Sequence, residues 1–72
     1  MDIQDEIIRK IVGHEQSYLR KPSVILMTPA NYKLLAAELN RLSNKDYANV
    51  TNPKFMGIRI IRSLDTITIE VF

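Results

Sequence analysis

The chain contains no cysteine, which excludes disulfides and zinc–thiolate sites, the usual staples of a short domain, and agrees with a reducing compartment. It has only two glycines, Gly13 and Gly57, too few for a phosphate-cradling loop or a dinucleotide fingerprint. No apolar run approaches the roughly 20 residues that span a bilayer, and no N-terminal segment joins a basic start to an apolar core. A cytoplasmic protein without membrane contact is the expectation. Histidine is nearly absent as well. His14 stands alone, and His14-Glu15 is followed by Tyr18 where a zinc protease would need its second histidine, so a solvent-facing helical histidine is expected. Ser17, Ser23, Ser43 and Ser63 lie outside any nucleophile-elbow pattern. The carboxylates of Asp2, Asp5 and Glu6 sit where a helix start favours negative charge for structural reasons. No catalytic constellation, cofactor, metal or small-molecule substrate is expected.

Charge of one sign is also scarce. The net charge is +2, and Arg9, Lys10, Arg20, Lys21, Lys33, Arg41, Arg59 and Arg62 are spread along the chain rather than gathered into the stripe that nucleic-acid binding usually requires. At 72 residues the sequence makes one domain, spanning 1–72. A domain of this size buries only about 60% of the surface its unfolded chain exposes, so association with another chain is the remaining means of stabilisation.

The joint at Thr28-Pro29 carries the most information about architecture. Val24 to Met27 is wholly apolar, the pattern of a strand covered on both faces, whereas Tyr32, Leu35, Ala36, Leu39 and Leu42 recur at helical spacing. Thr28 reads as the N-cap and Pro29 as the first helical residue, because threonine oxygen accepts from a first-turn amide and proline gives up an N–H that lacks a partner anyway. Before this joint, residues 1–21 form an amphipathic helix with Ile3, Ile7, Ile8, Ile11 and Val12 on one side and Tyr18 and Leu19 extending it. Gly13 marks a break or a close helix contact, and Pro22 ends the segment.

After the second helix, residues 43–53 are rich in Asn, Ser and Asp and read as a loop; its Asn49-Val50-Thr51 sequon is expected to be ordinary surface sequence. Phe55, Met56, Ile58, Ile60 and Ile61 then form one strand, and Thr66 to Phe72 another, with Ile67, Ile69 and Val71 alternating against Thr66, Thr68 and Glu70. Ser63-Leu64-Asp65 is the turn between them. The expected fold is a two-layer α+β domain in the order α-β-α-β-β. Its sheet is mixed and three-stranded, with a βαβ unit and a C-terminal antiparallel hairpin, so that residues 23–72 form a βαββ unit. With both helices on one face, the other face carries half of the first strand together with Phe55, Ile61 and Phe72. Such an apolar patch is normally a partner surface. Arg59 and Arg62 fall on opposite faces by alternation, so one of them meets a partner or solvent. Tyr32 starts the stripe of its helix and is expected in the core.

The run Ile25-Leu26-Met27-Thr28-Pro29-Ala30-Asn31-Tyr32-Lys33-Leu34-Leu35, followed by Phe55-Met56-Gly57-Ile58-Arg59-Ile60-Ile61-Arg62-Ser63, resembles a strand-helix-strand segment of tailed-phage major capsid proteins, over residues 25–72. Arg59 stands where that family often has proline, and the spine helix, extended loop and most of the shell-forming domain have no counterpart here. The resemblance implies a phage or prophage setting, in the host cytoplasm or the virion, and a protein that works by contact rather than as a shell subunit. The resulting expectation is a non-enzymatic interaction or structural protein, a homo-oligomer or part of a larger assembly, with Phe55, Arg59, Ile61 and Phe72 meeting the partner. The alternative is a nucleic-acid-binding domain, in which Phe55 and Phe72 stack bases while Arg59, Lys54 and Arg20 meet phosphates, weakly and mainly through charge.

Overall fold

The computed structural model describes residues 2–42, 47 and 50–72. Its elements are α1 (Ile3–Tyr18), β1 (Val24–Met27), α2 (Pro29–Leu42), β2 (Lys54–Phe55), β3 (Ile58–Arg62) and β4 (Glu70–Val71). The strands form one mixed sheet in the order β2-β3-β1-β4, and the helices lie together on one face of it. The fold is a small two-layer α+β domain with an open four-stranded sheet.

Helix α1 starts where Asp2 accepts the Asp5 amide through Oδ1 at 3.1 Å. It ends at Leu19, whose N–H still donates to the Glu15 carbonyl at 2.8 Å and whose left-handed φ of 57° then turns the chain out of the helix. Ile3, Ile7 and Ile11, spaced by one turn, are the buried stripe. That stripe is narrower than the apolar spacing suggests: Ile8 and Val12 are partly exposed, and Tyr18 and Leu19 point into solvent. Nor does Gly13 break the helix or make a close contact. A Cβ built there meets nothing within 4 Å.

The strand-helix joint forms as its residues suggest. Asn31 N–H donates to Thr28 Oγ1 at 3.0 Å, so Thr28 caps α2 and Pro29 opens it. Tyr32, Leu35 and Ala36 then turn into the core against Ile25 and Met27 of β1 and Ile58 and Ile60 of β3. The two helices are also tied end to side. Glu38 of α2 accepts the Ile3 amide through Oε2 at 3.0 Å and the Gln4 side-chain amide through Oε1 at 3.1 Å.

Three features of the C-terminal half differ from the sequence reading. First, Phe55 to Ile61 is not one strand: Met56 and Gly57 take φ values of 53° and 78° and form a two-residue turn, making β2 and β3 a hairpin with Phe55 opposite Ile58. Second, the final strand does not pair with its predecessor. β2 already occupies one edge of β3 and β1 the other, so the chain crosses the end of β1, where Ser63 N–H donates to the Met27 carbonyl at 2.9 Å, and returns antiparallel along the free edge of β1. The sheet therefore has four strands, and the C-terminal hairpin is replaced by a crossing connection. Third, residues 66–69 are not strand. Thr66 is buried with its hydroxyl donating to the Thr68 carbonyl at 2.7 Å, which bends the chain so that Ile67 is 92% exposed while Ile69 enters the core. Of the expected 43–53 loop, Tyr47 is held by Tyr32 Oη–H donating to its carbonyl and by its own N–H on Asn40 Oδ1. The acceptor Asn49 of the sequon lies outside the described residues.

Candidate interaction face

Register assigns every strand residue to a side of the sheet. Ile25 pairs with Ile60 and with Val71, and Phe55 with Ile58, so these side chains share the helix-covered side with Met27. The intervening residues form the opposite, uncovered side in two cross-strand rows. One row runs Lys54, Arg59, Val24, Phe72; its last pair is fixed by Val24 N–H on the Phe72 carbonyl at 3.2 Å and Phe72 N–H on the Val24 carbonyl at 3.0 Å. The other runs Ile61, Leu26, Glu70. The buried helix residues all belong to the other side, α1 approaches this side only at its β4 edge, where it shares a groove with Glu70 and Phe72, and Val24 and Leu26, in the middle of the sheet, are half-buried.

Ile61 is 37% and Phe72 57% exposed, so the face presents four apolar side chains from three adjacent strands. Charge is distributed unevenly around them. Lys54 and Arg59 lie on β2 and β3, and Glu70 on β4, at the other side of the sheet. Arg59 is the arginine that faces outward here. Arg62 has the parity of Ile60, and its guanidinium lies 4.9 Å from the centroid of the buried Tyr32 ring, a cation–π contact at the rim of the core.

Phe55 requires a correction. It is buried at 7% exposure in the main core, not displayed beside Ile61 and Phe72. Counting by twos from Ile61 back through Gly57 puts Phe55 on the outer side. The Met56-Gly57 turn reverses the chain and puts it opposite Ile58, on the inner side. Gly57, set between Lys54-Phe55-Met56 and the strand that starts at Ile58, was the sequence signal for that turn.

An open groove of about 460 Å³ lies between α1 and β4 and is lined by Lys10, His14, Ser17, Tyr18, Glu70 and Phe72 among others. His14 is half-buried there rather than fully solvated, its ring centroid 4.6 Å from that of Tyr18. Among the described residues, no group of three or more His, Cys, Asp or Glu side chains is placed to hold a metal ion, and no helix is long and apolar enough to cross a membrane. The comparisons with known proteins add no identification: no family model, curated protein or solved structure matches this chain.

Proposed function

We propose that this chain is a non-enzymatic interaction module that works through the uncovered side of its sheet, with Arg59, Ile61 and Phe72 meeting the partner. One observation carries the reading: both helices are spent on one face, while Val24, Leu26, Ile61 and Phe72 form a contiguous apolar surface on the other. Scattered apolar residues are ordinary on a protein surface, but a contiguous patch across neighbouring strands, rimmed by charge, is the usual form of a contact surface. The edges of this sheet are poor competitors for that role, because β2 and β4 are two residues each and offer little backbone to pair. The likeness of residues 25–72 to a capsid segment supports a phage or prophage assembly as the setting.

Nucleic-acid binding by the same face is the weaker reading. With Phe55 in the core, Phe72 is the one aromatic ring on that face among the described residues, and Glu70 lies on it as well. Stacking recognition works with several rings along a basic track.

The test is site-specific photo-crosslinking in the cells from which the gene comes. A photoreactive residue replacing Ile61 on the outer sheet face is compared with one replacing Ala37 on the exposed side of α2. Discrete adducts from position 61 and none from position 37 are expected. Adducts from neither position, or equally from both, would show that the sheet face is not the working surface.

A further inference from the structure

Resting on the reading that the outer sheet face is the working surface, we infer that its occupant is a second copy of this chain, stacked face to face about a two-fold axis parallel to the strands. The pattern of charge carries this. A face of one sign would call for a partner of the other, but this one has its cations, Lys54 and Arg59, on the β2–β3 side and its anion, Glu70, on β4. A two-fold axis running along the strands between β3 and β1 exchanges those two strands and exchanges β2 with β4. The cationic side of each copy then covers the anionic side of the other, as a self-complementary interface requires.

The residue rows fit that operation. Rows map onto themselves in reverse, so Ile61 of each copy lies over Leu26 of the second copy at the centre of the interface. Lys54 lies over the Phe72 ring, and the aliphatic stem of Arg59 over Val24. Glu70 arrives over β2, one row from Lys54 and Arg59. Sheets stack about 10 Å apart, a gap that a lysine or arginine from one side and a glutamate from the other close between them. The opposite stacking, with the axis across the strands, exchanges the two rows and places Glu70 against Phe72, leaving the three charges without opposite partners.

The experiment is sedimentation equilibrium of the purified chain from micromolar to millimolar concentration, on the wild type, on Arg59→Glu, on Glu70→Arg, and on an equimolar mixture of the two variants. Each single reversal sets like charges against each other twice in the symmetric dimer and should weaken association about tenfold or more. The mixture should recover wild-type affinity. In the mixed dimer the glutamate introduced at position 59 of one chain meets the arginine introduced at position 70 of the other, and the native pairing of Arg59 with Glu70 is kept at the symmetry-related place. Circular dichroism confirms that the variants fold, and Lys54→Glu stands in for Arg59→Glu if that variant does not. A wild type that stays monomeric throughout, reversals without effect on a dimer, or a mixture no stronger than its components would each overturn the inference. So would position-61 crosslinks to a product other than twice the chain mass, an outcome that leaves the interaction face itself standing.

Discussion

Removing the Glu38 carboxylate should unfasten the start of α1 from α2. Glu38 holds the Ile3 amide at 3.0 Å in a part-buried bond, so in Glu38→Ala that N–H loses its protein acceptor. Leaving a part-buried donor unsatisfied costs about 1–3 kcal/mol. Loss of a negative charge at a helix N-terminus adds about 0.3–1 kcal/mol, against which alanine returns a few tenths through its better helix propensity. The expected net loss is about 2 kcal/mol. Domain stability of roughly 0.05–0.15 kcal/mol per residue gives this chain about 4–11 kcal/mol in all, so the loss is a large fraction of it.

Thermal and urea unfolding by far-UV circular dichroism would read this as a fall of about 8–16 °C in Tm, since 1 kcal/mol moves Tm by roughly 4–8 °C in a domain of this size. Glu38→Gln separates the parts. It keeps an amide oxygen for Ile3 N–H but removes the charge, and should cost only about 0.5–1 kcal/mol. The measurements are made at a concentration where both variants and the wild type share one oligomeric state, because association adds apparent stability. Wild-type stability in Glu38→Ala would refute the reasoning, and so would equal losses in the alanine and glutamine variants.

Four further outcomes follow from single contacts. Met27→Asp should abolish folding, because the side chain is fully buried, whereas Leu26→Asp, one residue earlier and on the outer face, should fold at a cost of about 1 kcal/mol when measured at a concentration where the chain is monomeric; equal urea midpoints for the two would mean that β1 is not covered on one side only. Thr28→Ala should lose about 1 kcal/mol in urea denaturation as the Asn31 amide loses its acceptor, and no loss would remove the α2 cap. Gly13→Ala should raise stability by about 0.5–1 kcal/mol, given mid-helix geometry and open space for the methyl; a decrease in Tm would show a contact there. Met56→Asn should also stabilise, by roughly 1 kcal/mol, because asparagine tolerates the left-handed φ of 53° that methionine adopts in the β2–β3 turn, and an unchanged Tm would argue against that turn type.

What the sequence discloses is what depends on neighbours along the chain. Both helices follow from spacing, and the Thr28-Pro29 joint from capping chemistry, because each is decided within one or two turns. Alternation likewise brings Ile61 to the outer side and sets Arg59 and Arg62 on opposite faces, since all three lie on one uninterrupted strand; that Arg59 is the outward one comes from the register. Alternation fails for Phe55, because two residues with positive φ intervene and the count restarts. It also says which face a strand residue takes but not which strand lies beside it. Glu70 and Val71 pair with β1, far earlier in the chain, only because β2 has taken the nearer edge of β3. The Glu38–Ile3 bond is hidden for the same reason, joining residues 35 positions apart through side-chain reach that no local period encodes.

The same distinction bears on what the outer face is for. An unbroken apolar strand such as Val24-Ile25-Leu26-Met27 is the pattern of a strand covered on both sides. A strand that faced water on one side would alternate apolar with polar residues, as Ile58-Arg59-Ile60 does at the β2 side of the sheet. The chain supplies helices for one side only: Ile25, Met27 and Ile60 lie beneath them, and Val24, Leu26 and Ile61 do not. The pattern of β1 is thus that of a strand covered on both sides, whereas the helices cover one. Full burial of such a side chain stabilises by roughly 1.5–3 kcal/mol, but Val24 and Leu26 are already half-buried and Ile61 is 37% exposed, so covering the three adds only about 1–3 kcal/mol in sum. A third layer contributed by association would therefore raise the apparent stability of the domain by a modest share of its total, which couples folding to assembly without making either require the other.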